Sequence, residues 1–326
     1  MGHMSVANLF QAPLELLMLD VQFEQLRTFV AVVEEGSFDA AARRLHLTPS
    51  AVSQRMKALE NSVGRVLAER SKPVRPTPCG DLVLRLARQV ALLETDVLQE
   101  LGAAGAARRS GFTTIPIVVN GDSLTTWMLP ALAAAVAERI CLDIIREDQD
   151  HSVDLLRQGT VMAAVTSIAR PAQGCTVRAL GRMRYRPVAS PGFVRTWLPQ
   201  GPTVEALGRA PVLVFDRKDD LQDRYLRRRT RRALDPPRSH LPASADFAAA
   251  IRLGVGWGML PDQQSAADLA AGALVVIDPE VVIDVPLYWQ QWRLDSRHLG
   301  RLAEIVCAAA ADSLERENRA ESPRLG

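Results

Sequence analysis

The chain has 326 residues, 48% of them hydrophobic and 23% charged, with a net charge of +2. That balance excludes a disordered or collagen-like chain, and at roughly 150 residues per domain it predicts two or three domains. No apolar run reaches the ~18 residues of a transmembrane helix, and the four cysteines and five histidines form neither CxxC nor HExxH, so no metal and no cofactor are expected.

Scattered thiols in a chain of this length predict reduced cysteines and a cytoplasmic location. Local charge is more informative than the total. Residues 21–80 carry nine Lys/Arg against six Asp/Glu, and residues 217–238 carry nine against four. Met1-Gly2-His3-Met4 looks like a cloning scar, and residues 1–21 are set aside as a tag remnant and extension.

The first strong pattern is Leu26, Phe29, Val30 and Val33, one face of a helix stopped by Gly36. Ser37 can cap a second helix with Phe38, Ala41, Ala42 and Leu45 on its inner stripe. Thr48-Pro49 opens a third, with Val52, Met56 and Leu59 pointing inward. Its opposite face carries Ser50, Ser53, Gln54 and Lys57, flanked by Arg55. Amides and guanidinium groups there suit base edges in a major groove, with lysine meeting phosphate. The same periodicity also fits a helical pair in another fold with a solvated polar face. The proline-rich stretch Val66–Pro76 reads as a wing, with Arg70, Lys72 and Arg75 either touching phosphates or forming an ordinary solvated loop. Residues 22–80 are thus expected to form a winged helix-turn-helix.

Thr77-Pro78 begins a long helix to about Leu101, with Val83, Leu86, Val90, Leu93 and Val97 at heptad spacing. The seam predicts a dimerising linker helix, though two heptads could also pack inside one subunit. Gly102–Gly111 then reads as a hinge, giving a linker segment at 81–110.

Here the chain resembles a known family. Phe29-Val30-Ala31-Val32-Val33, Gly36-Ser37-Phe38 and Thr48-Pro49-Ser50-Ala51-Val52-Ser53-Gln54-Arg55-Met56-Lys57 are similar to the N-terminal region of LysR-type transcriptional regulators. Asn120-Gly121-Asp122-Ser123-Leu124-Thr125-Thr126-Trp127, Phe215-Asp216-x-x-Asp219-Asp220 and Leu287-Tyr288-Trp289 resemble the branch that activates lysine or arginine exporter genes. The resemblance implies no enzymatic activity, promoter DNA as one partner, and a tetramer built as a dimer of dimers. It further implies a small-molecule effector, lysine or arginine, with a different small carboxylate as the alternative.

Residues 115–310 alternate strand and helix patterns, starting Ile115–Val119, Leu124–Val136, Ile140–Arg146, Val153–Gln158 and Val161–Thr166. This predicts a mainly parallel sheet covered by helices. The overall expectation is an α plus α/β chain: winged helix-turn-helix, linker helix, and two α/β subdomains resembling periplasmic binding proteins. By resemblance, the effector-binding region is 111–310, with subdomain I at 111–187 and 287–310, subdomain II at 188–286, and a tail at 311–326.

Ligands in open α/β sheets sit beyond the carboxyl ends of strands. Asn120–Thr126 occupies such a place, so Ser123 and Thr125 are candidates for a ligand carboxylate, although Ser123 could simply cap its helix. Asp122 and Trp127 accompany them, and Glu147, Asp148 and Asp216 could meet positive groups. Gly254-Val255-Gly256-Trp257-Gly258 lacks nucleotide-loop spacing and reads as a turn into a strand. The basic run Arg227–Arg232 reads as a solvated helix face, with an auxiliary phosphate or intersubunit contact as the other option. A hydrolase is opposed by the lack of a GxSxG elbow. A solute-binding protein would need an export signal, and none is visible.

Overall fold

The computed structural model describes residues 21–69, 71–101, 111–147 and 149–315. Arg70, Asp148, most of the expected hinge, the extension through residue 20 and the tail beyond 315 lie outside the described residues. The chain divides into two compact units. The first is 1–98 with 158–160, and the second is 99–157 with 161–326.

The first unit comprises α1 (Phe23–Glu35), α2 (Phe38–Leu45), α3 (Pro49–Val63), β1 (Ala68–Glu69), β2 (Arg75–Pro76) and α4 (Pro78–Glu100). Its boundaries follow local chemistry. Gly36 closes α1 in the left-handed region at φ 64°. The Ser37, Thr48 and Thr77 hydroxyls accept the N–H groups of Ala40, Ala51 and Gly80, satisfying donors at the starts of α2, α3 and α4. Phe29, Val32, Val52, Leu59 and Leu67 are buried in a common core. β1 and β2 pair antiparallel, Ala68 opposite Pro76 and Glu69 opposite Arg75, and make the wing. A Cβ at Gly80 would stand 2.0 Å from the Leu67 carbonyl oxygen, so only glycine lets α4 start against the wing.

The expected stripe along α4 is covered unevenly. Val83 is buried at 8% exposure and Val90 packs on the same core. Leu86 and Val97 are exposed instead, as are Leu82 (67%) and Leu101 (72%) on the same side of the helix. Heptad spacing finds the stripe but not how much of it the unit itself covers.

The second unit comprises β3 (Thr113–Val119), α5 (Gly121–Thr126), α6 (Met128–Ala137), β4 (Ile140–Arg146), α7 (Gln149–Gln158), β5 (Ala163–Thr166) and β6 (Cys175–Ala189). There follow α8 (Pro191–Trp197), α9 (Val204–Leu207), β7 (Val212–Val214), α10 (Leu221–Arg229), β8 (Arg238–His240) and α11 (Ser244–Arg252). The last elements are β9 (Gly258–Pro261), α12 (Asp262–Ala270), β10 (Val275–Val276), β11 (Ile283–Trp292) and α13 (Arg297–Ser313). The main sheet runs β10-β6-β11-β5-β3-β4, with β9 also on β6, and β7 and β8 form a separate parallel pair.

The sheet is mixed rather than mainly parallel. β3 pairs parallel with β4 and β5, as the alternating pattern predicts. Every partner of β6, and the pairing of β11 with β5, is antiparallel. The long strands β6 and β11 pair from Cys175/Trp292 to Tyr185/Ile283, so the two halves of this unit share one ribbon. The helix expected over Leu124–Val136 is two helices broken at Trp127. Pro130 explains the break, because it cannot donate to the carbonyl four residues back. Among the described residues no helix is long and apolar enough to cross a membrane.

Candidate functional site

On the first unit, α3 presents Ser50, Ser53, Gln54 and Lys57 to solvent. Ser50 Oγ lies 3.0 Å from Thr48 Oγ1. Arg55 is half-buried and reaches Glu24 Oε2 at 3.2 Å, so part of its charge is used between α1 and α3. Lys72 and Arg75 are exposed on the wing, where Ser71 Oγ donates to the Pro73 carbonyl at 2.6 Å. A recess of about 230 Å³ joins the start of α2, Ser53 on α3, and Ser71, Lys72 and Val74 of the wing. Ser53 of α3, the start of α2 with its Asp39, and the wing lysine therefore border one concavity next to the exposed polar face of α3.

The second unit holds a cleft of about 550 Å³, within the usual range for small ligands. Asp122 on α5 is the centre of its polar wall. Its carboxylate accepts the Tyr185 hydroxyl and the Ser244 hydroxyl, each at 2.8 Å. Ser244 is itself held by Gln264 Nε2, which donates to its carbonyl at 2.9 Å. Burial, then the Asp122 charge, pushes the Tyr185 phenol well above its ordinary pKa, so it stays a proton donor.

Opposite, the loop before α10 folds around two aspartates. Asp216 Oδ1 accepts the N–H groups of Lys218 and Asp219. Asp219 accepts those of Phe215 and Leu221. Burial raises the Asp219 pKa, against these hydrogen bonds, and the nearby Asp122 charge adds to the rise. Asp220, Lys218 and Arg224 also line the cleft, and Phe215 stands beside Phe247 as its apolar wall.

Of the effector candidates, Asp122 and Asp216 line this cleft, while Ser123, Thr125, Trp127 and Glu147 do not. Ser123 is fully buried, and the N-cap of α5 is Asn120. Thr125 is exposed and bonds back to the Gly121 carbonyl at 3.0 Å. Trp127 is core, 1% exposed. Glu147 is exposed after β4. Sequence reading placed Asn120–Thr126 at the ligand end of β3 without singling out Asn120, and it missed Tyr185 and Ser244. Asn120 carried a usable signal, since it directly follows a strand and precedes a helix.

Of the two motifs set aside, the glycine run behaves as expected, while the basic run is only partly a solvated face. Gly254 and Gly256 form a turn into β9, where a Cβ at Gly256 would come within 3.0 Å of Leu213 N. In the basic run, Arg229 pairs with the buried Asp278 at 3.3 Å and Arg228 donates to the Val282 carbonyl, so these two pin α10 to the approach of β11. Among the described residues no cluster of His, Cys, Asp and Glu could hold a metal.

A winged helix-turn-helix and a mixed-sheet ligand cleft on one chain define a ligand-responsive DNA-binding protein. Residues 23–81 match the model for the bacterial regulatory helix-turn-helix protein, LysR family, and residues 106–311 match the LysR substrate binding domain. The HTH-type transcriptional regulator LysG of Mycobacterium tuberculosis is 47% identical over 308 residues, covering 94% of this chain and 100% of that protein. The lysine export transcriptional regulatory protein LysG of Corynebacterium glutamicum is 40% identical over 292 residues, 89% of this chain and 98% of that one. Among solved structures, ArgP from Mycobacterium tuberculosis superposes with a TM-score of 0.78 at 47% identity, covering 90% of this chain and 98% of that one. Full-length LysG from Corynebacterium glutamicum with bound effector Arg gives 0.71 at 39%, covering 90% and 100%. The chain belongs to the LysR family of bacterial transcriptional regulators and is of the LysG/ArgP type, a regulator and not an enzyme.

Proposed function

We propose that this chain binds promoter DNA and activates an amino-acid exporter gene when lysine or arginine fills the cleft of its second unit. The observation that carries the effector reading is the acceptor-rich cleft wall. Asp122, Asp216, Asp219 and Asp220 outnumber Lys218 and Arg224 there. A basic amino acid brings two positive groups and one carboxylate, which matches that imbalance. The Corynebacterium glutamicum relative, a lysine export regulator solved with bound effector Arg, supports the same reading.

On DNA, Ser50, Ser53, Gln54 and Lys57 meet the major groove, Arg55 braces α3, and Lys72 and Arg75, with Arg70, meet phosphates. In the cleft, Asp122, Asp216 and Asp219 receive the positive groups, while Ser123 and Trp127 support α5 from behind. Two copies join through the exposed face of α4, two such dimers make a tetramer, and the protein works in the cytoplasm with its DNA. Residues 22–80, 81–110 and 111–310 serve as DNA-binding, linker and effector-binding segments. Titration calorimetry with lysine and arginine, beside retardation of the exporter promoter, tests the reading. Saturable binding of at least one basic amino acid is expected, and its absence with DNA binding intact reopens the choice of effector.

A further inference from the structure

Asn120 links β3 to α5 and is the N-cap residue of that helix. Asparagine is favoured at such positions because its side-chain oxygen accepts a free backbone N–H. Here the side chain makes no capping hydrogen bond. The residue is only 6% exposed, and its Oδ1 is buried without a hydrogen-bond partner. Buried acceptors in native proteins are almost always satisfied. Asn120 also lines the cleft, two residues from Asp122. Asp122 spends one lone pair of each oxygen on Tyr185 and Ser244, and an ionised carboxylate has about four acceptor sites. Asp122, held by two neighbouring hydroxyl groups, therefore has acceptor sites to spare, and Asn120, with its own unmet acceptor, lines the same cleft.

We propose that Asn120 is an effector-contact residue, its Oδ1 acting with the Asp122 carboxylate to take a cationic nitrogen group, ammonium or guanidinium. This assignment rests on the reading of the effector as a basic amino acid. Such a group has several N–H donors and can serve both residues at once.

The test is Asn120→Leu, which keeps the side chain's approximate bulk and removes its polar atoms. A structural asparagine would lower the melting temperature on replacement and leave ligand binding alone. Here the opposite is expected: thermal stability is held or raised, because an unsatisfied oxygen is removed. Calorimetric Kd for lysine and arginine should rise about tenfold or more, as for a lost hydrogen bond to a charged group. Norleucine keeps the α-ammonium and carboxylate without the side-chain cation, and 6-aminohexanoate keeps the side-chain ammonium and carboxylate without the α-ammonium. A penalty that follows norleucine assigns the α-ammonium to Asn120, and one that follows 6-aminohexanoate assigns the side-chain cation. If the leucine variant does not fold, Asn120→Ala is read in the same way. Wild-type protein that binds neither basic amino acid removes the effector reading and this assignment together. Wild-type protein that binds them no more tightly than the Asn120 variant removes the assignment alone.

Discussion

Asp122 accepts two hydroxyl donors at once, so its carboxylate is oriented before any ligand arrives. Replacing it by asparagine removes the charge while nearly preserving shape. Lysine and arginine binding should weaken, measured by calorimetric constants; an equal loss for norleucine would assign Asp122 to the α-ammonium, a smaller one to the side-chain cation, and no loss for lysine or arginine would place Asp122 outside cation recognition. Asp219 supplies a pH signature. Burial raises its folded pKa above the ordinary ~3.9. Its contribution to stability therefore falls as pH rises from the unfolded value through the folded one. A cationic effector favours the ionised form, so lysine affinity should drop on acidification through that raised pKa, and binding at a pH near it should release protons. Calorimetry in two buffers of different ionisation enthalpy reads this directly, and Asp219→Asn should abolish it. On the DNA face, Gln54→Ala should relax base preference, whereas Lys72→Ala should weaken binding to every sequence and reduce the salt slope by about one. Retardation assays at several salt concentrations separate the two, and unchanged behaviour in both would move the interface elsewhere.

Helices α1 to α4 were legible because their signals are short-range. Glycine at φ 64°, hydroxyl caps and Thr-Pro starts act within one turn. Thr48→Ala should cost about 1 kcal/mol, lowering the melting point of the first unit by several degrees, on the order of 4–8 °C for a domain this small. Strand β6 was hidden for an equally local reason. Arg182, Arg184 and Arg186 alternate with Met183, Tyr185 and Pro187 in a good strand pattern. Gly181 at φ 138° and Pro187 interrupt it, and both residues ordinarily argue against a strand. Its loss concealed Tyr185, and with it the partner that orients Asp122. For α4, spacing found an apolar helix but could not say which leucines its own unit covers. Leu86→Asp with Val97→Asp should lower the oligomeric mass by light scattering without unfolding the chain. Val83→Asp should instead unfold the first unit, since a carboxylate at that buried position lacks a partner. Unchanged mass in the double variant would remove the exposed face of α4 from assembly.

In the whole molecule, two units of separate core give two places where stability can be tuned. A basic amino acid at 100 times its Kd should stabilise the second unit by about 2.7 kcal/mol, raising that transition in calorimetry while the first unit's melting stays near its unliganded value. A shift confined to the first unit would contradict the cleft assignment.

The ribbon of β6 and β11 sets what kind of motion the cleft can make. Ten residues of β6 between Cys175 and Tyr185 pair with β11, and Leu180 is left over where the register shifts between Leu287 and Tyr288. Sliding one strand past the other by a single residue would turn every side chain to the wrong face. Bending across the ribbon leaves that registry intact. Ligand-driven closure is therefore expected as a rotation across the ribbon, a hinge and not a shear. A single distance across the mouth, followed by a pair of spectroscopic labels, should then act as a complete gauge of occupancy: graded ligands would fall along one calibration line, and any analogue off that line would reveal a second axis of movement.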